Sequence, residues 1–265
     1  MNIEQLQSHA LAARRDIVSM IYESGIGHPG GALSIIDILT WIYNEEVDLT
    51  ASPRARVVMS KGHAVAAQYA MLHQKGVIAR SEFKTFRQIN SRLQGHPSIK
   101  AMPEVDATTG LLGQGLSIAF GMAAAKRQRG ETERVFAIIG DGEMHEGQIW
   151  ETLQQAGHAK IDNLVAIIDY NGFSSHDPVN QVVNLEPLAD KVRHFGWHVL
   201  ELQNGNDMHQ VANTLRLSRY LKGKPVAIIA NTTKGCGVSY MENNGDWHSK
   251  TPSTEQYHQA MEELQ

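Results

Sequence analysis

The sequence runs to 265 residues, 42% of them hydrophobic, with a net charge of -4 and a single cysteine, Cys236. That length supports a sizeable core in one or two domains, and the mild negative charge, with no block of Lys or Arg, excludes a nucleic-acid-binding stripe. One cysteine excludes an intrachain disulfide, no run reaches the roughly 18 apolar residues of a membrane span, and polar Met1 to Ser8 reads as no signal peptide, so a reducing, cytoplasmic home is expected.

Strand and helix patterns alternate along the chain. Ser34 to Asn44 reads as an amphipathic helix, with Ile35, Ile38, Leu39 and Ile42 at helical spacing and Ser34 and Asp37 resembling a capping box. Val57 to Met59 is a short apolar run leading into Ser60-Lys61-Gly62-His63, and Ala64 to Gln74 then reads as a helix stopped by Gly76. Ile78 to Pro103 has weak periodicity and reads as an excursion near the site. Gln114 to Arg129, rich in Ala and Gly, predicts a tightly packed helix whose Lys126, Arg127 and Arg129 form a solvated end.

Val135 to Ile139, Leu164 to Ile168, Val199 to Leu202 and Val226 to Ala230 read as buried strands. Helical patterns at His145 to Lys160, Met208 to Leu221 and Thr254 to Gln265 complete the series. The expectation is an α/β fold with a mostly parallel sheet covered by helices on both faces, residues 1–265 forming a single domain.

Gly140-Asp141-Gly142-Glu143 follows one of these strands and Asn171 follows the next. Ligands in open α/β sheets gather at the carboxyl ends of the strands, so neighbouring strands would aim both oxygen donors into one crevice. Magnesium prefers oxygen ligands completed by phosphate and water; Asp141, Asn171 and a backbone carbonyl near Phe173 suit it. Gly140 and Gly142 would let the backbone approach a diphosphate. Taken alone, Gly-Asp-Gly is an ordinary strand-ending turn and Asn171 a cap; the paired strands and their order favour the metal reading.

These residues resemble the thiamine diphosphate motif, and the resemblance runs further. Gly27-His28-Pro29-Gly30-Gly31, Ser60-Lys61-Gly62-His63-Ala64, Gly95-His96-Pro97 and Thr108-Thr109-Gly110-Leu111-Leu112-Gly113-Gln114-Gly115 look like transketolase, in transketolase order over nearly the whole chain. The resemblance implies that Asp141, the Asn171 side chain and the Phe173 carbonyl bind magnesium. It implies that the Gly142 backbone, His63 and His248 approach the diphosphate of thiamine diphosphate. The loop around Gly110 and Leu112 would face the aminopyrimidine ring, and Glu146 and Glu151 would help form an interface.

Transketolase chemistry moves a two-carbon ketol unit from a ketose to an aldose, with proton transfers near neutral pH. Histidine, of ordinary pKa near 6.5, suits that work. The resemblance implies catalytic roles for His28, His96, His63 and His248, with His28 and His96 meeting sugar hydroxyls. The sequence departs from the family pattern at Ser249, where Gly is usual, and at Gly25-Ile26; both bear on sugar preference. Arg92 and Lys100 stand near His96 as candidates for the anionic end of a sugar phosphate, with plain surface charge the favoured reading.

In the family, the glutamate that activates the pyrimidine lies in a second domain. The sequence after His248 is short and predicts only a terminal helix. The expectation is the N-terminal subunit of a split transketolase, paired with a separate C-terminal subunit, in a heterotetramer with two copies of each. The alternatives are the α subunit of a 2-oxo acid dehydrogenase, deoxyxylulose phosphate synthase, or a non-catalytic orphan subunit. The histidine motifs favour transketolase.

Overall fold

The structure, a computed structural model, describes residues Met1 to Gln265. Seven strands form in chain order: β1 (Arg56–Met59), β2 (Val135–Gly140), β3 (Leu164–Tyr170), β4 (Phe173–Ser174), β5 (Asp177–Pro178), β6 (His198–Leu202) and β7 (Val226–Asn231). Nine α-helices accompany them: α1 (Ile3–Ser24), α2 (Pro29–Glu45), α3 (Val65–Gln74), α4 (Gln114–Gln128), α5 (Gly147–His158), α6 (Val179–Val182), α7 (Leu188–His194), α8 (Met208–Ser218) and α9 (Thr254–Glu263). The main sheet has five strands in the order β1-β2-β3-β7-β6, every pairing parallel, and β4 and β5 make a small antiparallel hairpin.

Alternation along the central strands divides the interior between the two faces. Phe136, Ile138, Val165, Ile167 and Ile228 pack with residues of α1, α2, α3 and α8, while Val135, Ala137, Ile139, Leu164, Ala166 and Ile168 pack with residues of α4, α5 and α7. Both faces being covered explains why the central strands read as continuous apolar runs; β6, expected to be buried, is an edge strand that exposes Glu201 and leaves Val199 and Leu200 half-buried. No helix is long and apolar enough to cross a membrane.

The predicted strands and helices appear close to their expected places, with instructive exceptions. The helix expected from Ser34 begins earlier, at Pro29, and is buried around its whole circumference from Pro29 to Tyr43. It is therefore not amphipathic. Ser34 caps nothing: its hydroxyl donates to Gly31 O and to Asp169 Oδ2, and Asp37 pairs with Arg14. The helix α1 escapes sequence reading because Arg14, Arg15 and Asp16 interrupt its apolar stripe, yet Arg14 is turned inward to meet Asp37. Lys126 is not at a solvated end; it is buried and paired with Glu131 and Glu133. The Ile78 to Pro103 excursion holds only a short 3-10 turn, Arg80–Thr85.

Candidate active site

The register between β2 and β3 pairs Gly140 with Asp169. That pairing carries Asp141 and Asn171 out of the carboxyl edge of the sheet side by side. Lys61 and His63 leave β1 at the same edge, and Lys234 follows β7. His28 stands at the N-cap of α2, and His248 ends the 3-10 turn Gly245–His248. A cavity of about 220 Å³ opens here, lined among others by Lys61, His63, Leu112, Asp141, Asn171 and His248. Gly142 and Phe173 line it too.

The Asp141 carboxylate is 1% exposed. Gly142 N–H and Gly172 N–H donate to its two oxygens at 2.8 and 2.6 Å. No cationic side chain pairs with it directly. Burial, reinforced by the nearby Asp169 charge, pushes its pKa up to about 7. No cluster of three or more His, Cys, Asp or Glu side chains suited to a metal occurs. The donors at hand are instead one carboxylate, one carboxamide and backbone carbonyls, an all-oxygen set that fits a hard cation keeping phosphate and water ligands. A buried carboxylate short of positive charge is what such a cation would relieve.

The cationic counterpart is Lys234. Its Nζ donates to Ser175 O at 2.7 Å, stands 3.5 Å from His248 Nδ1 and lies 5.2 Å from the centroid of the Phe173 ring, with no carboxylate partner. Burial, then the Lys61 charge, pulls its pKa down to about 8. Lys61 is committed to Asp169 and Gly31 O. An anion entering the cavity therefore meets one buried ammonium that is free of acid partners. The residues present fit a diphosphate and its divalent cation.

Three of the four expected histidines converge. The ring centroids of His28, His63 and His248 lie 5.0 to 5.4 Å apart. Burial is the first cause holding all three below their ordinary pKa, with His28 at about 4 and His248 at about 3. They are neutral imidazoles at pH 7, not groups poised near 6.5. His96 is packed a little apart: a Cβ on Gly110 would fall 3.0 Å from its ring. Gly110 has φ +140°, strained for any residue with a Cβ, and its backbone runs so close to Gly62 that a Cβ on Gly62 would fall 2.9 Å from Gly110 N. Gly142 is constrained from another side, since its Cβ would meet Ser174 Cα at 2.9 Å. Glu146 and Glu151 are exposed.

Several site residues went unassigned in the sequence. Glu143 is buried and accepts from Ser60 Oγ, Gly113 N–H and Gly140 N–H, tying three loops together. Asp169 lies beneath the cavity. His176 packs edge-on to His248 at 5.4 Å. Arg87 Nη1 is 3.5 Å from His28 Nδ1. Lys61 and Glu143 fall within motifs already singled out, but nothing in a sequence says which way their side chains turn. Arg92, by contrast, is bound to Glu82 and Val77 O, which ties it away from any sugar. Lys100 is exposed.

Residues 7–264 match the family model described as transketolase, thiamine diphosphate binding domain. The chain is 39% identical over its full length to one of the subunits named for apulose-4-phosphate transketolase in Phocaeicola vulgatus, covering 95% of that protein. It is 36% identical to a 6-deoxy-6-sulfo-D-fructose transketolase subunit of a Clostridium species, over 98% of this chain and 96% of the relative. Among solved structures, transketolase from Campylobacter jejuni superposes with a TM-score of 0.91 at 31% identity, over 100% of this chain and 43% of that one.

Proposed function

This chain belongs to the transketolase family, and we propose that it is the diphosphate-binding subunit of a thiamine diphosphate- and magnesium-dependent transketolase formed with a separate chain. The reaction proposed is transfer of a two-carbon ketol unit from a ketose phosphate to an aldose phosphate. The observation that carries the reading is the buried Asp141 carboxylate without a cationic partner, in a cavity shared with Lys234 and two imidazoles. The near-complete coverage of relatives named as subunits supports a partner chain, which would carry the pyrimidine-binding half; the assembly proposed is a cytoplasmic heterotetramer with two copies of each. Those relatives are named for transketolases of apulose 4-phosphate and of a sulfonated fructose, so an anionic ketose is the substrate class proposed here.

Asp141, Asn171 and the Phe173 carbonyl would hold magnesium; the Gly142 backbone, His63, His248 and Lys234 would face the diphosphate; Gly110 and Leu112 would face the pyrimidine. Bound thiamine diphosphate supplies the electron sink that lets a carbon–carbon bond beside a carbonyl break and re-form. The chain's own part is orientation and proton handling. A neutral imidazole both accepts and donates a hydrogen bond, so His28 and His96 can fix sugar hydroxyls in either sense. His248, next to His28 and His63, would take a proton from a hydroxyl and return it. Negative charge from a bound diphosphate would oppose the depression of its pKa and make it a stronger base.

The relatives' names do not favour the 2-oxo acid dehydrogenase alternative. The test is an assay with thiamine diphosphate, magnesium, a ketose phosphate and an aldose, run on the chain alone and after co-expression with a pyrimidine-domain chain. Turnover is expected only with both chains and only with cofactor and magnesium. Robust turnover by the chain alone removes the two-chain reading, and none from the pair removes the catalytic one.

A further inference from the structure

We propose that Asp169 is a positioning residue for the divalent-cation site, fixing the Asn171 carboxamide so that its oxygen is the end presented to the cation. The inference rests on the reading of Asp141 and Asn171 as cation ligands. Asn171 has two chemically different ends, and only one can serve a cation. Its Nδ2 lies 3.0 Å from Asp169 Oδ2 and 3.4 Å from Ser34 Oγ. Its Oδ1 lies 3.2 Å from the Phe173 N–H. A carboxylate only accepts and a backbone N–H only donates. Both contacts therefore require the same orientation, with the NH₂ toward the interior and the oxygen toward Phe173, which lines the cavity together with Asn171.

Asp169 can exert this control because it is itself held. It is 0% exposed. Ser34 Oγ donates to Oδ2 at 2.6 Å, Thr232 Oγ1 donates to Oδ1 at 2.6 Å, and Lys61 Nζ pairs with Oδ2. These donors come from α2, from the end of β7 and from the end of β1. A carboxylate gripped from three elements cannot turn to follow the amide; the amide follows it.

The test is the affinity of the chain for Mg²⁺, by calorimetry in the presence of thiamine diphosphate. Asp169→Ala removes the acceptor, and Mg²⁺ affinity is expected to fall by about 10- to 100-fold. Asp169→Asn keeps an acceptor oxygen toward Lys61, Ser34 and Asn171 if its NH₂ faces Thr232, so its affinity should stay closer to wild type than to the alanine variant. Asn171→Asp in the Asp169→Ala background should recover affinity, because both ends of the side chain are then oxygen. If Asp169→Ala does not fold with Lys61 left unpaired, Lys61→Met combined with Asp169→Leu carries the same expectation and the same rescue. Undiminished affinity without the acceptor overturns the proposal. So does an Asp169→Asn loss as large as that of alanine, which would make charge rather than orientation the contribution. Asp141→Ala separates the two levels: undiminished affinity there sinks the cation site itself, whereas loss there with none on removing the Asp169 acceptor sinks only the positioning role.

Discussion

The Glu143 carboxylate accepts the Gly113 N–H at 2.9 Å, joining the end of β2 to the start of α4 beneath the cavity. The same side chain accepts from Ser60 Oγ and Gly140 N–H, so the loops carrying His63, Asp141 and Leu112 share one buried anchor. Glu143→Ala leaves those donors without a partner in a buried place, a loss of about 1–3 kcal/mol for an unsatisfied group. The expected outcome is a lower midpoint of denaturant unfolding together with weaker thiamine diphosphate binding. Full stability in the variant would show that the loops hold without their anchor.

Gly115 sets the close approach of α4 to the loop after β1. A Cβ there would lie 2.5 Å from Ser60 Cα, a backbone atom that cannot swing aside. Gly115→Ala is expected to destabilise by about 1–3 kcal/mol through overpacking. Gly121, on the same helix, has nothing within 4 Å of its ideal Cβ. Gly121→Ala should stabilise by about 0.5–1 kcal/mol, as removing a helix glycine does. Thermal unfolding of both variants checks the contrast; equal shifts would refute the packing argument.

Much of this arrangement was legible because the sheet is buried on both faces. Val135 to Ile139 and Leu164 to Ile168 advertise themselves as strands, and a parallel sheet gathers ligands at its carboxyl edge. Asp141 and Asn171 could thus be placed near one another from order alone, whereas His63 joined them only through the resemblance to transketolase. Arg14, Lys126 and Glu143 could not be placed, because a charged residue at helical or turn spacing looks solvated until its partner is known. Each is buried against a charged or polar group distant in sequence or round a turn. The state of the histidines was also hidden: their depressed pKa values come from burial and from neighbouring cations that only the fold assembles.

Those depressed values predict a pH signature in the chain free of cofactor and metal. His28 drops from an ordinary 6.5 to about 4, by burial and then by the charges of Arg87, His96 and Lys234. His248 drops from 6.5 to about 3, by burial and then by Lys234, His28, His176 and Lys61. In the unfolded chain each takes a proton as pH falls through 6.5, while the folded chain resists until near pH 4 or pH 3. Their contribution is therefore fully present above pH 6.5 and is lost progressively below it. His28→Asn and His248→Asn lack that loss, so the stability of each relative to wild type should rise as pH falls from 7 to 5. Denaturant unfolding at the two pH values measures it, and a constant gap would contradict the assignment.

Lys234 offers the sharpest separation of function from stability. It is 2% exposed and paired with no carboxylate, so the folded chain gains little from its charge. Lys234→Met should leave the melting temperature unchanged or raised, since a buried ammonium is replaced by a side chain of similar length. The cavity, however, loses its unpaired cation. A charge-assisted hydrogen bond to an anion contributes about 1.5–3 kcal/mol, so affinity for inorganic pyrophosphate and for thiamine diphosphate should fall by about tenfold to a hundredfold. Because the Lys234 charge also holds the His248 pKa down, the variant should titrate His248 at a higher pH, followed by its imidazole proton resonance. Unchanged pyrophosphate affinity with a shifted His248 would confine Lys234 to tuning the imidazole, and an unfolded variant would show that its packing, not its charge, is what the fold requires.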